Sequence, residues 1–137
     1  MKRFISVIFA LLITFSFAGC NAANIEVGTK DGVAYFHHAQ GAPEIILTGE
    51  NEAKIEDEAL LGKLIAAIDG KSAVNDFCNC EALYIIRIDK YYFGLHSHGI
   101  SVTRPMGNNI KGVNIFTVEC TEEEMRELFA ILGSVSK

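Results

Sequence analysis

Between Ala82 and Val118 the apolar side chains return at alternate positions through four successive runs, and a period of two belongs to extended chain. In Ala82 to Ile88, Tyr84, Ile86 and Ile88 fall on one face and Leu83, Ile85 and Arg87 on the other, which marks a central or nearly central strand. Asp89-Lys90 can turn the chain into Tyr91 to His96, and Ser97-His98-Gly99 can turn it again into Ile100 to Arg104. Pro105 is expected to end that run because it has no ladder donor, and Val113 to Val118 follows after a Gly107-Asn108-Asn109 loop. Four strands joined by turns this short must pair antiparallel.

The flanking segments complete the pattern. Asn24 to Val27 reads as a strand, Thr29 to Gly32 as a turn, and Val33 to His38 as a second strand. Gln40 to Pro43 breaks it, Glu44 to Thr48 is a third strand, and Gly49 to Glu52 is a polar loop. A helix follows: Asp57 caps it, Leu61, Leu64, Ile65 and Ile68 share one face, and Gly70 stands where a left-handed residue closes it. Gly62 weakens this helix unless something packs closely there. Thr121 and Glu124 form a capping box, Met125, Leu128, Phe129 and Leu132 make an apolar stripe, and Gly133 is expected to end the terminal helix. The expected fold is α+β, an antiparallel sheet of about six or seven strands with two helices packed on one face.

The first twenty residues stand outside that pattern. Lys2 and Arg3 precede an apolar run from Phe4 to Phe17, and Phe17-Ala18-Gly19-Cys20 places small residues before a cysteine. The order is that of an export signal, and its apolar run is shorter than the roughly 20 residues a bilayer span needs. The last four residues resemble the lipobox of bacterial lipoproteins, with Phe17 at the position usually held by Leu. The resemblance implies cleavage before Cys20 and acylation of its sulfur with fatty acids such as palmitate. It divides the chain into a signal peptide, 1–19, and a single domain, 20–137, carried on a short N-terminal tether. It also implies a lipid-anchored place in the bacterial cell envelope, with the domain facing the periplasm or exterior. Asn21 after the cysteine resembles the outer-membrane sorting pattern of Gram-negative lipoproteins. Two or more acyl chains, at about 0.8 kcal/mol per buried methylene, hold a protein on a membrane persistently.

Removal of the leader takes Lys2 and Arg3 with it, so 10 of the 12 basic residues face all 17 acids, a net charge of −7 with histidine neutral. An acidic chain with scattered cations lacks the concentrated basic surface that nucleic acid requires. The acids gather at Glu56-Asp57-Glu58 and Glu122-Glu123-Glu124, where two predicted helices begin and negative charge complements the helix dipole.

Beyond Cys20 the cysteines are Cys78, Cys80 and Cys120, an odd set in an oxidising compartment. One bridge from Cys120 to Cys78 or Cys80 is expected. A Cys78–Cys80 bridge would need a tight turn at Asn79, because side chains two apart on a strand point the same way without meeting. Three groups hint at a site: His37-His38, Cys78-Asn79-Cys80 and His96-Ser97-His98. On extended chain Cys78 and Cys80 share a face, as do His96 and His98, a donor set suited to zinc or copper(I) or to a thiol-active centre. Neither pair has the spacing of a structural zinc knuckle, and no cofactor is expected. No nucleophile elbow, zinc-protease, phosphate-loop, dinucleotide or calcium-loop motif occurs, which points away from an enzyme.

Alternation sends Tyr91 and Phe93 to one face and Tyr92 to the other. Tyr92 beside Arg87 on an open face would suit partner binding, since aromatics and arginine are enriched at interfaces. The expected role is a non-enzymatic interaction domain, held to the membrane by its lipid, that contacts an envelope protein or a small ligand.

Overall fold

A computed structural model of the protein describes residues 25–39, 41–75, 80–107 and 109–136. The leader, Cys20 and Cys78 lie outside the described residues. Among the described residues, eight strands and two helices make an α+β domain with two antiparallel sheets. Strands β1 (Ile25–Lys30) and β2 (Val33–His38) pair as a hairpin. Its turn is Asp31-Gly32, with φ of 54° and 76°. Two successive positive φ values give the turn that matches the right-handed twist of the strands it joins.

The larger sheet runs in the order β4-β3-β5-β6-β7-β8. Its strands are β3 (Ile45–Leu47), β4 (Ala53–Ile55), β5 (Tyr84–Ile88), β6 (Tyr91–Leu95), β7 (Gly99–Met106) and β8 (Asn109–Glu119). The expected alternation holds: Ile86, Ile88, Tyr91, Phe93, Leu95, Ile100, Val102, Phe116 and Val118 are all buried. The sheet's six strands fall within the expected six or seven, and one of them, Ala53-Lys54-Ile55, pairs back onto β3 unforeseen, a run of three being too short to show a period. The first hairpin also forms a sheet of its own.

Pro105 does not end β7. Pairing with β6 stops at Tyr92↔Thr103, and the register with β8 shifts between Arg104 and Met106, so proline sits where no ladder donor is required. A second shift between Val102 and Thr103 leaves Ile115 as an extra residue on β8.

Helix α1 (Glu58–Ile68) starts at Asp57, whose carboxylate accepts from the Ala59 N–H at 2.9 Å, and Gly70 follows its end at φ 82°. Helix α2 (Glu122–Val135) opens with the expected capping box. Glu124 N–H donates to the Thr121 hydroxyl at 3.2 Å, and Thr121 N–H donates to the Glu124 carboxylate at 2.8 Å. Gly133 lies inside this helix rather than at its end: a glycine ends a helix only where the backbone turns left-handed, and the chain stays helical to Val135.

Both helices and the β1–β2 hairpin contribute to one core with one face of the large sheet. Phe36 of the hairpin meets Phe93 of β6 with ring centroids 5.3 Å apart, and Phe129 of α2 meets Tyr84 of β5 at 5.7 Å. Burying a phenylalanine is worth about 1.5–3 kcal/mol, so these pairs lock hairpin and helix to the sheet. Segment 71–74 ties the layers at the other side. Ala73 N–H donates to Gly32 O and Val74 N–H to Thr117 O, bridging the hairpin and β8. Lys71 completes the link through an ion pair with Glu124, and Lys63 pairs with Glu127 between the helices at 2.6 Å.

Candidate functional site

The face of the large sheet turned away from the helices carries the expected pair. Arg87 and Tyr92 are direct partners in the register of β5 and β6, and both are half-buried. The same row continues to Ile46 on β3 and to Thr103 on β7, so Ile46, Arg87, Tyr92 and Thr103 cross four neighbouring strands. Ile85, on this face, is 42% exposed. An isoleucine in an interior strand is left this accessible only where no second layer covers it. Tyr91 and Phe93 are buried on the other side, as the alternation requires.

The two histidines of the β6–β7 turn separate. His96 follows the core residue Leu95, points to the open face and is only 8% exposed. Its Nδ1 lies 3.0 Å from the Cys80 carbonyl oxygen and its Nε2 lies 2.9 Å from Ser101 Oγ. A carbonyl oxygen only accepts, so Nδ1–H is the donor there, and in the neutral ring Nε2 accepts from the Ser101 hydroxyl. The polarity is that of an imidazole oriented to take a proton from a serine. Gly94 makes the room: a Cβ there would stand 2.7 Å from Ser101 Oγ and 3.4 Å from both Ala82 Cβ and His96 Nε2. The sequence reading missed Ser101; its signal was the bare glycine inside an aromatic strand, which often marks a close approach.

His98 is exposed, and its Nδ1 lies 2.9 Å from Ser97 Oγ. The turn interrupts the period of two that would have set His96 and His98 side by side. Among the described residues, no group of three or more His, Cys, Asp or Glu side chains is placed to hold a metal ion. A metal at His96 Nε2 would have to displace Ser101.

The bridge expected at Cys120 is not formed. Cys120 is a free thiol, half-buried on the helix side of the sheet, where its Sγ lies 3.6 Å from the Ala67 carbonyl oxygen. Cys80 lies on the opposite side, with its carbonyl against His96. The sheet stands between them, a separation no S–S bond of about 2 Å can span. Cys80 is in the disulfide-bonded state, and no disulfide joins two described residues. Burial pushes the Cys120 thiol up to about 11, with Lys71 drawing it down and Glu124 raising it.

His37 and His38 also part company. His37 stacks on Tyr35 on the hairpin's outer side, with centroids 5.3 Å apart. His38 shares the inner side with Ala34 and Phe36 and lines a cavity of about 420 Å³ with Glu44, Lys54, Glu56 and Asp57. Its Nε2 is buried with no hydrogen-bond partner among the described residues. The cavity lies between β3, β4 and the start of α1, and strand β4, which the sequence hid, supplies one wall.

Fold and surface together define an α+β domain in which neither described helix covers the second face of the large sheet. No protein-family model, no curated protein and no solved structure matches the chain.

Proposed function

We propose that this chain is a small exported lipoprotein of the bacterial cell envelope, anchored through Cys20, whose domain acts as a non-enzymatic binding module. The observation that carries the reading is the leader itself: two cations, an apolar run, and Ala18-Gly19-Cys20. No described helix is long and apolar enough to cross a membrane, so attachment in this reading falls to the acyl chains. The row Ile46–Arg87–Tyr92–Thr103 is the favoured contact surface for a protein partner or ligand. It joins an aromatic and a guanidinium, the side-chain types enriched at interfaces, on adjacent strands of the sheet.

Metabolic labelling with a clickable fatty acid tests the anchor. The wild-type protein should take up label and Cys20→Ala should not; label retained by Cys20→Ala would overturn the assignment. Crosslinking in intact cells tests the surface. Neighbours captured by the wild type should be lost with Arg87→Ala or Tyr92→Ala, and capture unchanged by both would remove this face from the reading.

A further inference from the structure

The most exposed large apolar side chain of the described residues, Met106 at 65%, stands at the end of β7, and Val113 of β8, 49% exposed, lies beside the same shallow depression. Val27 of β1 and Pro105 line it too, and exposed Arg104 adds a positive charge. Exposed apolar side chains that cluster around one depression, rather than scatter singly, make it a candidate contact surface.

Its place relative to the N-terminus says what. Five residue steps separate Cys20 from Ile25, the start of β1, and seven separate it from Val27. Fully extended chain covers at most ~3.6 Å per residue, so Val27 lies within about 25 Å of an anchored Cys20. A domain of this length is roughly 35 Å across by the usual radius-of-gyration scaling, so a tether this short forbids free tumbling. Some surface near the start of β1 must face the bilayer.

Two surfaces compete for that position. Across the hairpin, Ile25 pairs with His38, whose cavity carries Glu44, Glu56, Asp57 and Glu58 against the single cation Lys54. Anionic headgroups repel it. The Met106 end presents apolar side chains and Arg104, which suit the boundary between acyl chains and phosphates.

We propose that the surface carrying Met106, Pro105 and Val113, with Arg104 beside it, rests in the headgroup region of the bilayer that holds the Cys20 acyl chains, fixing the orientation of the domain. This rests on the lipid-anchor reading above. The partner is a lipid surface; the lipid tether supplies the affinity and the patch supplies the direction.

The chain contains no tryptophan, so a single introduced one reports cleanly. The lipidated mature protein is reconstituted on phosphatidylethanolamine–phosphatidylglycerol vesicles containing dibrominated phosphatidylcholine, as Met106→Trp, Val113→Trp or Ser97→Trp. Ser97 lies in the turn at the other end of β7, roughly 23 Å or more from Met106 at ~3.3 Å per residue. Met106→Trp and Val113→Trp should lose about half or more of their emission and shift to the blue, as a ring held 5–10 Å into the interface would, while Ser97→Trp stays in water. Equal quenching at all three positions, in protein that carries acyl mass and floats with the vesicles, overturns the orientation alone. Protein without acyl mass at Cys20 overturns the anchor and the orientation with it.

Discussion

Arg87 and Tyr92 stand directly opposite each other on β5 and β6, on the sheet face that neither helix covers. Cross-strand pairs of this kind contribute roughly 0.2–1 kcal/mol, and half-buried side chains leave small voids when truncated. Tyr92→Ala and Arg87→Ala should therefore each lower the melting temperature by only a few degrees, with a double-mutant coupling below about 1 kcal/mol. Partner capture should fall much further than stability. Thermal denaturation of the two single variants and the double variant checks this, and a loss of several kcal/mol would assign Tyr92 to the core.

Gly62 and Gly70 should respond oppositely to the same substitution. Nothing lies within 4 Å of a Cβ built at Gly62 in helix α1, so Gly62→Ala should stabilise the domain by about 0.5–1 kcal/mol. Gly70 holds φ 82°, where any Cβ is strained, so Gly70→Ala should destabilise by about 1 kcal/mol or more. Urea midpoints of the two variants report both signs.

Cys120 should behave as an inert thiol in the folded state. With its pKa pushed up to about 11, chiefly by burial, little thiolate exists at pH 8. Reaction with a disulfide reagent should be on the order of a hundredfold slower than after unfolding, where the pKa returns near 8.5. Stopped-flow thiol titration with and without denaturant measures the ratio. Comparable rates would mean that Cys120 is open to solvent.

Glu124 ties α2 to the end of α1, and its protonation should cost stability at low pH. Burial alone would raise its pKa, but the hydrogen bond and charge of Lys71, with the Thr121 cap, outweigh it and hold the carboxyl below its ordinary 4.5. A carboxylate with a lowered folded pKa contributes stability that is present above the unfolded value and lost as pH falls through the folded one. The wild type should thus exceed Glu124→Gln at pH 7, by about 1 kcal/mol or less, and the difference should shrink as the pH is taken down through the lowered folded pKa. Chemical denaturation at pH 7 and in acid decides it; a gap that persists in acid would mean packing rather than charge.

His38 places beside the core a buried ring nitrogen that has no hydrogen-bond partner among the described residues. Leaving such a group unsatisfied costs about 1–3 kcal/mol, so His38→Phe, which keeps the ring and removes the polar atom, should leave stability unchanged or raise it by about 1 kcal/mol. A marked loss would show that the imidazole has a bonding role.

What the sequence determined by itself is the set of local choices. The period of two in β5 to β8, the caps at Asp57 and Thr121 and the left-handed Gly70 each depend on neighbours a few residues away, and each is where the pattern puts it; the turn expected over Thr29 to Gly32 narrows to Asp31-Gly32 because β1 runs on to Lys30. The Arg87–Tyr92 pair was legible for the same reason, since a tight Asp89-Lys90 turn leaves only one register. Other contacts between separate elements were not legible. Cys120 and Cys80 fall on opposite sides of a sheet, His96 finds Ser101 and the Cys80 carbonyl, three residues at Ala53 become an edge strand, and Pro105 continues a strand past the end of its neighbour. Such outcomes depend on which sheet face a loop crosses and where a register slips. Packing of the whole chain settles them, and no local pattern encodes it.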